Sequence, residues 1–316
     1  MQTHNRPDEP QRDRIDVPSQ RILDHLRQGG LPKYSGWQII QPGSDPFSPD
    51  LSAYYAPRQL YAVAGRVDSD DFLCLEEGRR ELVVIHHYSA PGFNEGATFK
   101  DIEDWLEHEV HPDATRRANV LRGGLDQVLD ALMTSDRYQQ NLDWGKPRRG
   151  HPEGTLRAHL ADLEENLGHI SHLLDPVEER MMRVLIHSHD TFKKNAEPRV
   201  PIDHPKSHAT LAAGALRSLQ APLGLPTMAQ NHDLLYSLYR SERVRGAFNE
   251  RRMADLIGSI SNIDMFVIFT EIDTLVPGKS SEPVTWSIER LEERGVQFAP
   301  RVHVARAILE SARGLG

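Results

Sequence analysis

Several helical segments of the chain carry a histidine or aspartate on a face that is otherwise apolar. Leu156, Leu160, Leu163 and Leu167 recur at the spacing of one helical face, and His159 falls on it between Leu156 and Leu163. Met182, Leu185 and Ile186 lead, one turn on, to His189 with Asp190 beside it. His208 heads the face Leu211, Ala212, Ala215, Leu219, and His232 falls between Met228 and Leu235. Ile263, Phe266, Val267 and Thr270 lead to Asp273. Burying one such group without a partner costs kilocalories, and burying five costs more than a domain can spare. A shared cation turns these groups from a liability into ligands, and helical bundle cores are a known place to build such sites. Imidazole plus carboxylate, without thiolate, suits a divalent transition metal: manganese, iron, cobalt or zinc. A lone histidine on an apolar face is more often an ordinary core residue. His86, His87, His169, His172 and His204 are read that way.

The elements that must position these groups follow from periodicity. LYAVAGRV (60–67), DFLCLEE (71–77) and ELVVIHHY (81–88) are short β-rich runs separated by turn-forming residues, which predicts a small antiparallel meander. Helices are expected over about 101–110 and 115–133. The segment 141–154, dense in Gly, Pro and charge, is the best boundary candidate. Beyond it helices are expected at roughly 154–168, 176–191, 206–220, 226–245, 249–275 and 282–294. The expected fold is mainly α, with a small α+β module and its short antiparallel sheet preceding an all-α domain. In residue numbers this is a polar tail over 1–30, the module with its following helix over 31–145, the metal-binding helical domain over 146–300 and a C-terminal helix over 301–316.

Composition narrows the partners. A formal net charge of −9 argues against a chain that coats long nucleic acid, because polyphosphate binding needs clustered cations. No run approaches the ~18–20 apolar residues of a membrane helix, so no membrane partner is expected. The single cysteine, Cys74, excludes an internal disulfide framework and fits a cytoplasmic location.

The motifs TLRAHL (155–160), LIHSHDTFK (185–193) and FVIFTEID (266–273) resemble the HD-domain superfamily of metal-dependent phosphohydrolases over about 150–295. The resemblance implies metal ligation by His159, His189, Asp190 and Asp273. HD-type sites that hold two ions add two histidines, and His208 and His232 stand where those belong, with Asp190 bridging. The doublet segment departs from the common form: Thr191-Phe192, not a glycine, precede the lysine, although Lys193 keeps its place. His187 competes with His189 and His204 with His208. The second member of each pair is preferred, because His189 precedes Asp190 and His208 leads the apolar face. The strand run and DIEDWLEHEV (101–110) resemble a small module to which no activity is attached.

The resemblance implies hydrolysis of a nucleotide or small phosphoester by a metal-activated water. Asp190 and Lys193 would be its catalytic residues, with Lys193 also neutralising phosphate charge. Arg240 and Arg243, followed by Arg245, offer an anion clamp; a solvated basic helix end is the ordinary alternative. Lys279 is read as a loop surface charge. Two other activities are compatible with the same ligands: an HD-type diiron oxygenase, and a sensor that binds nucleotide or metal without turnover. A homo-oligomer is compatible with the sequence.

Overall fold

The computed structural model describes residues 22, 24–26, 28–40, 60–76, 79–86, 95–148, 152–222 and 224–314. Most of the expected polar tail, together with His87, lies outside the described residues. The chain divides into two compact units, residues 1–119 and 120–316.

The first unit holds five strands, β1 (Trp37–Ile39), β2 (Leu60–Arg66), β3 (Asp71–Glu76), β4 (Leu82–His86) and β5 (Glu95–Phe99). They form one antiparallel sheet in chain order, so the expected meander is present, extended by a strand at each edge. β3 reads as almost unbroken apolar sequence because both faces of the sheet are covered. Leu73 and Leu75 face a core with Trp37, Val84 and Trp105, while Phe72 and Cys74 face a second one with Ile85 and Leu60. Leu26, inside the expected tail, is 1% exposed in the first of these cores, where its apolar side chain is anchored. Asp101 caps helix α1 (Ile102–Trp105) by accepting the Asp104 N–H at 2.8 Å. A π-helical turn, Leu106–Val110, leads into α2 (His111–Met133). Buried Asp113 accepts the Gly36 N–H and the Arg117 guanidinium, both at 2.9 Å, which ties α2 to the start of β1.

The second unit is helical: α3 (Asp136–Asn141), α4 (Leu156–Ile170), α5 (Pro176–Ser188), α6 (His208–Ser218), α7 (Leu225–Asn231), α8 (Leu234–Arg245), α9 (Glu250–Ser259), α10 (Ile263–Thr274), α11 (Glu282–Glu292) and α12 (Pro300–Ala312). The boundary expected in 141–154 falls instead inside α2. The physical reason is that α3 belongs to the helical unit: Asn141 donates to the Thr191 carbonyl at 2.8 Å, and Tyr138 bonds His187 at 2.6 Å. Two helices expected to be continuous are broken. The 226–245 helix is interrupted at His232-Asp233, and the 249–275 helix at Ile260–Asn262, where Asn262 caps α10 by accepting the Met265 N–H. The second break turns the chain by 113°, and no single described helix is long and apolar enough to cross a membrane.

α10 is the central helix. Met265 through Phe269 are all buried, because α4, α5, α11 and α12 surround it. α5 opens on a capping box between Asp175 and Glu178, and the buried Glu178 carboxylate also receives Arg301 of α12 at 2.7 and 2.8 Å.

Candidate metal centre

Each chemically important side chain sits near the end of a helix, where a local hydrogen bond aims it. Thr155 caps α4, placing His159 one turn inside it, buried to 4% exposure. The Nδ1 of His159 faces Glu153 Oε1 at 3.5 Å. His189 is the C-cap of α5, and its Nδ1 donates to the Ile186 carbonyl at 2.9 Å. His232 closes α7, and its Nδ1 donates to the Ala229 carbonyl at 2.8 Å. With Nδ1 so engaged, Nε2 of His189 and of His232 points into the site, the orientation that metal-ligating histidines require. His208 opens α6, whose cap, Ser207, accepts the Thr210 N–H. Asp273 arrives from the end of α10, which Asn166 of α4 fastens by donating to the Ile272 and Leu275 carbonyls, both at 2.9 Å.

These groups converge as two clusters suited to divalent metal: His159, His189 and Asp273, and Asp190, His208 and His232. In the first, His159 Nε2 lies 3.2 Å from Asp273 Oδ1 and 3.7 Å from Asp190 Oδ2. His189 Nε2 lies 3.5 Å from Asp190 Oδ2 and 3.8 Å from Asp273 Oδ1. In the second, His208 and His232 Nε2 are 3.2 Å apart, and each is 3.5 Å from Asp190 Oδ1. Asp190 therefore turns one oxygen to each cluster. Ligands held ~2.0–2.2 Å from a common ion stand roughly 3–3.5 Å from one another. Charge-assisted hydrogen bonds would draw most of these pairs closer, to about 2.7–2.9 Å. The spacing and the donor types fit ions better than direct bonds.

The electrostatics agree. Burial pushes His189 down to about 4, which keeps it neutral and ready to ligate. Burial opposes charge on Asp190 too, but Lys193, in contact with Oδ2, and His189 outweigh it and hold the carboxyl well below the usual range. Asp273 is held down in the same way by Lys279 and His159 against its burial. His232 is pushed up to about 9, because Asp233, Asp190 and the Ala229 carbonyl overcome burial. A proton there supplies the positive charge that a metal ion would otherwise bring.

Three contacts in the centre lay beyond sequence reasoning. Asp233 Oδ2 stands 3.2 Å from His208 Nε2 and 3.5 Å from His232 Nε2, which sets a further carboxylate beside the second cluster. Its position directly after His232 was the available signal. Glu153 backs His159 from the boundary loop. Lys279 is no loop surface charge: its Nζ reaches Asp273 Oδ1 at 3.3 Å and the Asp273 carbonyl at 2.8 Å. Of the competing histidines, His187 is held by Tyr138 at 2.6 Å and Glu164 at 3.2 Å, and His204 accepts the Lys206 N–H in its own turn. Neither belongs to a cluster. Arg243, expected to clamp substrate with Arg240, is held by Glu282 at 3.0 Å and stacks over Tyr239. It does not line the cavity.

The centre opens into a cavity of about 1670 Å³ whose wall includes Asp190, Lys193, His208, His232 and Asp273. Small-molecule sites span ~300–1,000 Å³, so there is ample room for a substrate. No family model matches the chain, and no curated protein or solved structure was found similar to it. The helical domain with two His/Asp clusters suited to divalent metal stands on its own geometry.

Proposed function

We propose that this chain is a metal-dependent phosphohydrolase of the HD type, acting on a nucleotide or small phosphoester. One observation carries the reading: a buried carboxylate, Asp190, faces two donor clusters at once and holds a lysine at the floor of a cation-lined cavity. His159, His189, Asp190 and Asp273 would hold one ion. Asp190, His208, His232 and Asp233 would hold the second. Manganese, iron, cobalt or zinc bound there supplies a water nucleophile at neutral pH and neutralises charge on phosphoryl oxygens.

The chain's own groups do the rest. Asp190 keeps Lys193 charged against its burial, so the ammonium is available to a phosphate oxygen in the cavity. The hydrogen bonds to Nδ1 of His189 and His232 keep their rings from turning. Arg240, on the cavity wall, receives the remainder of an anionic substrate. A diiron oxygenase could use the same ligands, but the concentration of cations on the cavity wall favours a phosphoester.

The test is phosphate release from p-nitrophenyl phosphate and a nucleotide panel by protein loaded with each of the four metals. Asp190→Ala is expected to lower turnover by more than ~100-fold, beyond the usual cost of losing a second-shell partner. Turnover within tenfold (~1.4 kcal/mol) of the parent would remove the mechanism. Oxygen uptake without phosphate release would point to the oxygenase, and nucleotide binding without either reaction to a sensor.

A further inference from the structure

The cavity is longer than the chemistry at its floor requires. α8 forms one wall along its length, from Tyr236 and Ser237 through Arg240 to Arg245. Asp233, at the metal end, accepts the Ser237 N–H at 2.9 Å, so the helical rise applies from there. Arg240 is seven residues on and lies on the same face, so its Cα is ~10 Å along the helix from Asp233, with its guanidinium lying back over Tyr236.

Charge on this wall is unbalanced in one direction. Among the described residues only two carboxylates outside the metal-facing set, Glu197 and Glu282, line the cavity, and each already has a cation: Lys206 at 3.2 Å and Arg243 at 3.0 Å. Arg199, Arg240 and Arg245 line the same cavity, and among the described residues no carboxylate pairs with any of them. Arg240 is held against the ring of Tyr236, 5.9 Å from its centroid. Arg199 reaches the wall from a backbone at φ 65°, an unusual conformation for a residue with a side chain. Among the described residues Arg148 and Arg252 also line the cavity without a carboxylate partner, so its wall is rich in unpaired cations in a chain of net charge −9.

The geometry points to a second anion subsite on the α8 wall at Arg240, in a cavity that Arg199 and Arg245 also line, and so to a substrate with a second phosphate beyond the one at the metals. This rests on the phosphohydrolase reading. The chemistry required is a second phosphate, supplied either across a nucleoside or along a phosphate chain.

The experiment compares adenosine 5′-monophosphate, adenosine 3′,5′-bisphosphate and adenosine triphosphate, with p-nitrophenyl phosphate reporting turnover at the metals alone. In Mn²⁺-loaded protein, the bisphosphate or the triphosphate should exceed the monophosphate in kcat/KM by about tenfold or more, mainly through KM. Preference for the bisphosphate selects the nucleoside-spanning arrangement, and preference for the triphosphate the chain. The doubly substituted R240Q/R245Q protein should bring the ratio close to unity. Binding by metal-free protein, measured by calorimetry, must show the same preference and the same loss. If p-nitrophenyl phosphate is not turned over, the hydrolase reading fails and the calorimetric comparison alone decides the subsite. Equal affinity for mono- and two-phosphate ligands, or a preference that survives the double substitution, overturns the proposal.

Discussion

The two halves of the centre share a carboxylate but are built differently. The His159–His189–Asp273 half comes from three helices of the bundle, α4, α5 and α10. Its side chains are 5%, 0% and 19% exposed, and Asn166 locks α4 to the end of α10. The His208–His232–Asp233 half comes from helix ends beside the cavity, where His232 is 1% exposed but His208 and Asp233 are 20% and 41% exposed. One half is set by core packing, the other by segments that border solvent. The same ligand chemistry should therefore yield a tightly held ion on the core side and a more exchangeable one on the cavity side.

That contrast can be broken most sharply by deleting one histidine from each half. His189→Ala leaves a void and an incomplete set where no solvent can substitute. It should abolish retention of the core-side ion and cost about 2–4 kcal/mol in stability. His208→Ala should keep one ion per chain through desalting and cost less than about 1 kcal/mol, because water can fill the vacated position. Elemental analysis and denaturant unfolding read both. Equal metal loss in the two variants would erase the distinction.

Smaller changes sharpen it. Glu153→Gln removes the carboxylate behind His159 and should weaken the core-side ion ~10–100-fold, while Asp233→Asn should weaken the cavity-side ion by a similar factor. Competition with a chelator separates the two, and cross-effects larger than the direct ones would contradict the assignment.

Proton release gives a third measure. In metal-free protein His232, with its pKa near 9, carries a proton at pH 7, whereas His189, near 4, does not. Filling the cavity-side half at pH 7 should then expel about one proton, with affinity rising up to about pH 9. His189 contributes no such dependence to the core-side half. Titration in weak buffer with H232Q as the control measures this, and proton release unchanged in that variant would contradict it.

A further effect lies outside both halves. Glu271 on α10 is fully buried, neither carboxyl oxygen has a hydrogen-bond partner among the described residues, and burial raises its pKa well above the usual value despite Arg306. A raised folded pKa means stability is intact below the unfolded value near 4.5 and declines as pH rises toward the folded one. Glu271→Leu should gain about 1–3 kcal/mol at pH 8 and less at pH 5, in thermal unfolding with the metal content matched. An equal gain at both pH values would show that the carboxyl carries no such burden.

Much of the fold was legible because helices and strands are written locally. Leu156, Leu160, Leu163 and Leu167 mark one buried face of α4 by spacing alone, and β2, β3 and β4 lie within their apolar runs. Helix ends were less legible. The break at His232-Asp233 carries no proline or glycine at the point of interruption, only the weaker turn signal of Asn231 and Asp233.

The sequence by itself determined the chemistry on offer: imidazoles and carboxylates on apolar helical faces, no thiolate among them, and a lysine one turn past the His-Asp doublet. Only the tertiary structure decided which of them meet. His187 and His189 are two residues apart, yet one is taken by Tyr138 and Glu164 and the other joins a cluster. Arg240 and Arg243 lie on one helix, yet only the first lines the cavity. The physical reason is that donor types and periodicity are local properties, readable within a few turns. Convergence depends on how distant helices pack: Asn166 holding α10 to α4, and Asp190 placed between α5, α6 and α7.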